Sequence, residues 1–153
     1  MDIVGYVRSP IGRLKLVLNE ERCLTHIYLN VSPLPHAQNP LSFEAVCVQL
    51  KEYFFGKRKT FTLPLCFGGS SFETCVWKAL LDIPYGETRS YRDIAAVCGN
   101  PKAARAVGQA VHRNPIPIII PCHRVIGTSG NLVGYAGGLA VKRFLLRLEG
   151  VCI

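Results

Sequence analysis

The stretch Ile118-Ile119-Ile120-Pro121-Cys122-His123-Arg124-Val125-Ile126-Gly127 constrains the fold more than any other part of the chain. Three isoleucines demand burial, and the chain then presents a thiol, an imidazole and a guanidinium in succession. An unpaired buried charge costs far more than one thiol contact returns. A fold that buries the isoleucines must therefore bring partners to His123 and Arg124. The run reads as a buried strand with a reactive end, because neighbouring cations favour thiolate over thiol. A free cysteine is by default a small core hydrophobe, and it is these two neighbours that argue otherwise for Cys122.

Length and composition narrow the frame. With 153 residues, 49% of them apolar, the chain fits one domain or two small ones with a packed core. No apolar run approaches the ~20 residues of a membrane span, and Met1-Asp2-Ile3-Val4 does not resemble a secretion signal. The expectation is a cytoplasmic, nucleoid-associated protein, or a nuclear one in a eukaryote. Seven cysteines (23, 47, 66, 75, 98, 122, 152) are odd in number and contain no CxxC pair, which fits reduced thiols. Cys23, His26 and His36 make a partial zinc set at most, with no fourth ligand at a workable spacing, so no metal is expected. Net charge is +8, and from Thr88 to Arg143 eight Lys or Arg residues (89, 92, 102, 105, 113, 124, 142, 143) face one acid, Asp93. Such a surplus suits a polyanionic partner whose phosphates those cations neutralise.

Along the chain, Ile3 to Arg8, Arg13 to Leu18 and Leu24 to Leu29 predict an antiparallel meander. Prolines 33, 35 and 40 predict a loop over 31 to 41. Ser42 is then expected to cap a helix with Phe43, Val46, Cys47, Leu50 and Phe54 on its apolar side, stopped by Gly56. A short strand is expected near Phe61 to Leu65. Gly68-Gly69-Ser70-Ser71 marks a boundary between a domain over 1–69 and another over 70–153. Ser70 and Glu73 form a capping-box signature for a helix from Phe72 to Asp82, and Ser90 with Asp93 repeats it before Tyr91 to Cys98. The next helix, Pro101 to His112, carries Ala104, Val107 and Val111 on one side and Lys102, Arg105, Gln109 and Arg113 on another. Ala103, Ala106, Gly108 and Ala110 leave it nearly bald, so it can approach a nucleic-acid groove closely. With the preceding helix it resembles a helix-turn-helix. A glycine-rich loop (127, 130, 134, 137, 138) and a last helix, Leu139 to Glu149, complete the chain.

Five motifs in order, Asn100-Pro101-Lys102-Ala103-Ala104-Arg105-Ala106-Val107-Gly108, Asn114-Pro115-x-Pro117-Ile118, Pro121-Cys122-His123-Arg124-Val125, Gly134-Tyr135-x-Gly137-Gly138 and Leu148-Glu149-Gly150, resemble those of the O6-alkylguanine-DNA alkyltransferases. The likeness covers most of residues 72 to 150; the first 70 match only in outline, as a small sheet plus helix. It implies an α/β (α+β) fold, with an N-terminal ribonuclease H-like antiparallel sheet and helix and a mostly helical C-terminal half. It implies repair of O6-alkylguanine in duplex DNA, with O4-alkylthymine a further candidate, by stoichiometric transfer of the alkyl group to Cys122. Each molecule would act once, as a monomer, without cofactor.

The same resemblance assigns roles. His123 takes the thiol proton through a water, and Glu149 orients the imidazole. Asn114 braces the turns that hold Cys122. Tyr91 meets the flipped base and donates toward guanine N3. Arg105 fills the hole left in the duplex, while Val125, Tyr135 and Ala136 hold the extruded base. Ala103, Ala106, Gly108, Arg113 and Arg124 join the DNA- and base-binding set. Ala136 stands where some members carry serine, which leaves a backbone N–H as the donor near O6. Two other classes fit less well. A binding-only relative replaces the cysteine, commonly with tryptophan, and a cysteine hydrolase would need His26, His36 or His112 brought to the thiol.

Overall fold

Three strands, β1 (Ile3–Ser9), β2 (Gly12–Leu18) and β3 (Leu24–Tyr28), pair antiparallel in the order β1-β2-β3, as the alternation predicts. They open a computed structural model that describes residues 1–32 and 41–153. The described residues divide into two compact units, Met1–Phe67 and Gly68–Ile153. The predicted proline loop lies largely outside them, as does His36.

In the first unit Leu14, Leu16, Leu18 and Ile27 point inward and pack with Phe43, Val46, Leu50 and Tyr53 around α1 (Glu44–Phe54). Gly5 permits this. A Cβ there would stand 2.7 Å from the Phe43 ring, closer than carbon atoms approach. The pull of Phe43 into the core also corrects the expected cap. A 3-10 turn, Leu41–Phe43, leads into α1, Phe43 takes the N-cap position without a side-chain bond, and the buried Ser42 hydroxyl finds no hydrogen-bond partner among the described residues. The strand expected near Phe61 to Leu65 is only a single bridge between Leu24 and Leu65. Gln49 holds that segment instead, donating to Thr62 Oγ1 and accepting from the Thr62 amide, each at 2.9 Å. The segment thus satisfies a backbone donor from a side chain, where a strand would use a neighbouring ladder.

The second unit is built on α2 (Ser71–Leu81), α3 (Tyr91–Val97), α4 (Ala104–His112) and α5 (Leu139–Leu148). Both predicted capping boxes are present, Ser70 with Glu73 and Ser90 with Asp93. Each satisfies two otherwise orphaned helix-start amides. Trp77, 3% exposed, donates its indole N–H to the Ala110 carbonyl at 2.8 Å and so ties α2 to α4. Between α3 and α4 the Asn100 side chain accepts the Lys102 amide at 3.1 Å. This local turn competes with helix, and α4 accordingly starts at Ala104, three residues later than expected. Arg89–Ser90 (β4) and Val125–Ile126 (β5) form a short parallel pair.

The isoleucine run is not a strand. Prolines 115, 117 and 121 remove three ladder donors, and the chain coils instead. Ile118 has φ +76°, where β-branched residues are rare. Pro121, at φ −80° and ψ 66°, centres an inverse γ-turn closed by the Cys122 amide on the Ile120 carbonyl at 2.7 Å. Cys122–Arg124 then form a 3-10 turn. Strand alternation therefore does not govern how Cys122 and His123 point.

Candidate active site and nucleic-acid interface

Asn114 fixes the turn that carries the thiol. Its Nδ2 donates to the Ile120 carbonyl at 2.7 Å, and its Oδ1 accepts the Ile116 amide at 3.0 Å. The segment from Ile116 to Ile120 is thus clamped at both ends by one side chain, two residues before the thiol. Cys122 is 5% exposed and sits in the wall of a pocket of about 470 Å³, a size that suits a small organic ligand. Tyr91, Arg105, Gly108, Asn114, Tyr135 and Ala136 share that pocket with it. Burial pushes the Cys122 thiol up, while hydrogen bonds from Asn114 and Tyr135 and the positive charge of Lys142 oppose the rise.

Behind the thiol lies a buried ionic cluster. Glu149 Oε2 accepts from His123 Nε2 at 2.7 Å and Arg124 Nη2 at 3.0 Å, and Oε1 accepts from Arg124 Nε at 2.8 Å and the Gly86 amide at 3.3 Å. Arg124 Nη1 donates to the Ile83 carbonyl at 2.6 Å. Burial alone would raise the Glu149 carboxyl. The hydrogen bonds and charges of His123 and Arg124 outweigh it and bring the pKa down to about 2. Burial lowers His123, and Glu149 only partly offsets that because Arg124 already balances the carboxylate. A neutral imidazole facing an ionised carboxylate must carry its proton on Nε2. Nδ1 is then an acceptor, and this buried atom has no hydrogen-bond partner among the described residues. The arrangement is a base with an oriented lone pair.

Arg124 corrects the expected DNA- and base-binding set. At 7% exposure, with its nitrogens spent on Glu149 and Ile83, it faces the interior. A guanidinium held this way would leave a buried carboxylate uncompensated if it turned outward. Val125 is also wholly buried and does not line the pocket. Tyr91 is half-buried, and its hydroxyl donates to the Val133 carbonyl at 2.9 Å. A Cβ on Gly108 would stand 3.9 Å from the Tyr91 ring, so the bald helix lets that ring lie against it. Arg105 and Ala106 are exposed and Ala103 is half-buried on the same helix. Arg113, at the end of α4, lies 3.6 Å from Glu73. Cys23 and His26, of the partial zinc set, meet no third ligand among the described residues.

Lys142 was not singled out from the sequence. It is fully buried, donates from Nζ to the carbonyls of Val133 at 3.0 Å and Gly134 at 3.3 Å, and burial lowers its pKa to about 8 against the pull of Cys122. A signal was available, since Lys142, Leu145, Leu146 and Glu149 follow i, i+3, i+4, i+7 and therefore share one helix face. Two of the eight cations in the basic segment, Arg124 and Lys142, are thus internal. Replacing Lys142 with Met, similar in length but uncharged, should slow modification of Cys122 by a small thiol reagent about tenfold near neutral pH, as expected when a thiolate loses roughly one pKa unit of support. Because the lost cation favoured the ionised sulfur, the rising limb of the pH–rate profile moves to higher pH. Rates of thiol modification across pH test this, and an unmoved profile refutes it.

Two family models match the chain. One, for the 6-O-methylguanine DNA methyltransferase DNA binding domain, covers residues 71–151, and the other, for the ribonuclease-like domain of the same methyltransferase, covers residues 3–67. A methylated-DNA--protein-cysteine methyltransferase of Methanosarcina acetivorans is 49% identical over 152 residues, covering 94% of this chain and 96% of that one. The constitutive methylated-DNA--protein-cysteine methyltransferase of Bacillus subtilis is 48% identical over 162 residues, covering 99% and 97%. Among solved structures, Mycobacterium tuberculosis O6-methylguanine methyltransferase superposes with a TM-score of 0.87 at 47% identity, over 97% of this chain and 93% of that one. A Mycobacterium tuberculosis OGT in complex with DNA gives 0.86 at 47% identity, over 95% and 91%.

Proposed function

Because the chain belongs to the 6-O-methylguanine DNA methyltransferase family, whose reaction is direct transfer of an alkyl group from DNA to a protein cysteine, we propose that Cys122 is the acceptor and that each molecule acts once. The observation that carries this reading is the meeting of Cys122, Tyr91 and Arg105 in one pocket on the DNA-binding unit. The thiol proton passes through a water to Nδ1 of His123, and Glu149 stabilises the imidazolium that forms. The sulfur attacks the alkyl carbon as the carbon–O6 bond breaks, and the leaving guanine takes up one proton, so that the lost thiol proton is balanced. Tyr91 supplies the hydrogen bond at guanine N3, exchanging its contact with Val133. The sulfur–carbon bond has no evident route back to thiol, which makes the reaction single-turnover. The protein acts as a monomer in the compartment that holds the DNA.

A target base inside a stack cannot reach the thiol, so the base must be extruded. Arg105, exposed at the pocket edge of α4 beside Ala104 and Gly108, takes its place in the duplex. Arg105→Ala should slow repair of duplex DNA by about tenfold or more, since unstacking costs a few kcal/mol that the arginine helps to offset. The same change should affect attack on free O6-benzylguanine far less, provided the pocket accepts that ligand. Intact mass against time gives both rates, and equal losses on the two substrates would remove the extrusion role.

A further inference from the structure

Two thiols outside the pocket stand within hydrogen-bonding distance of each other. The Sγ atoms of Cys75, in the middle of α2, and Cys98, the C-cap of α3, are 2.9 Å apart. Both side chains are half-buried and so reachable by a small oxidant. Neither takes part in the chemistry of Cys122. We propose that Cys75 and Cys98 are a reversible dithiol–disulfide site that clips α2 to the first helix of the helix-turn-helix pair.

The geometry requires little of the fold. A disulfide has its sulfurs about 2.05 Å apart, so the pair at 2.9 Å must close by about 0.9 Å. The helices themselves are held in place by separate bonds. Trp77 ties α2 to Ala110, and the Cys98 amide closes the last turn of α3 on the Ile94 carbonyl at 3.0 Å. Gly99, at φ +88°, then carries the chain away from Cys98 toward the turn.

The chemistry needs a hydroperoxide as co-reactant. One sulfur attacks the O–O bond, giving a sulfenic acid and releasing an alcohol, or water when the oxidant is hydrogen peroxide. The second sulfur attacks the first and expels hydroxide, which leaves as water with the second thiol's proton. Two electrons pass from the sulfurs to the peroxide, and a dithiol reductant reverses the change. Burial, the hydrogen bond shared with Cys75 and the charge of Cys75 push the Cys98 thiol up to about 12, so Cys98 is the poorer nucleophile toward peroxide and Cys75 is oxidised first.

The test treats the full chain with hydrogen peroxide at stoichiometric levels, quenches it with an alkylating agent and maps its peptides. The expected result is a peptide pair joined through Cys75 and Cys98, lost on treatment with dithiothreitol and absent from Cys75→Ala and Cys98→Ala. The bond should raise the thermal midpoint of the second unit by roughly 15–25 °C, as a closed loop of this length implies. The rise should vanish in both single variants. Sulfinic acids at the two positions without a link, a link through Cys66 or Cys152, or a link that leaves the midpoint unchanged would each overturn the proposal.

Discussion

Cys122→Ser is expected to reduce alkyl transfer below detection while leaving affinity for alkylated duplex DNA within a few-fold of the parent. Serine keeps the shape of the wall, but a hydroxyl does not ionise near neutral pH and is a far weaker nucleophile than a thiolate. Binding survives because the residue faces a pocket and contributes no cation to the phosphates, which dominate affinity for DNA. Label from a methylated oligonucleotide should appear on the parent protein and not on the variant. Label on any of the other six cysteines would show that the acceptor had been misassigned.

The second large effect falls on stability. Glu149→Ala should cost the second unit about 3–5 kcal/mol, the range for removing one partner of a buried ion pair, because the Arg124 guanidinium would be left 8% exposed with no carboxylate. Glu149→Gln keeps the volume but turns an amide donor toward donors, so it should recover only part of the loss. The pH dependence follows from the depressed carboxyl. Its folded pKa of about 2 lies below the ordinary carboxylate value of 4.5, so its contribution is complete above about 4.5 and fades as pH falls through about 2. Denaturant midpoints at pH 7 and pH 3 should therefore differ more for the parent than for Glu149→Gln. An alanine variant as stable as the parent would mean that the cluster relaxes or admits water.

Most of the secondary structure could be read in advance where local signals dominate. The meander follows from alternation, and α2 and α3 begin where their serine and acidic capping residues stand. The candidate site was legible in part: Cys122, His123, Asn114 and Glu149 sit in dense motifs, and Asn114 and Glu149 bond to the turn that carries Cys122 and His123. What could not be read depends on long-range packing. Ile118 to Ile120 looks like a strand until three prolines and the double clamp of Asn114 are counted together. Arg124 reads as a DNA-facing cation until Glu149, 25 positions later, is found on two of its three nitrogens. Lys142 was counted with the surface charges, although its helical phase with Leu145 and Leu146 places it inside. Charge sums over a segment do not distinguish inward from outward cations.

Trp77 has a consequence for optical work. It is the chain's single tryptophan, it is buried in the second unit, and its indole nitrogen is bonded to a helix of the DNA-binding pair. Intrinsic emission excited at the indole edge therefore comes from one place, beside α4, with no background from the meander. A shielded indole emits toward the blue and reddens when water reaches it. The emission follows the loosening of α2 from α4, whereas far-ultraviolet dichroism averages over both units, so the two signals together resolve which unit melts first without any added dye.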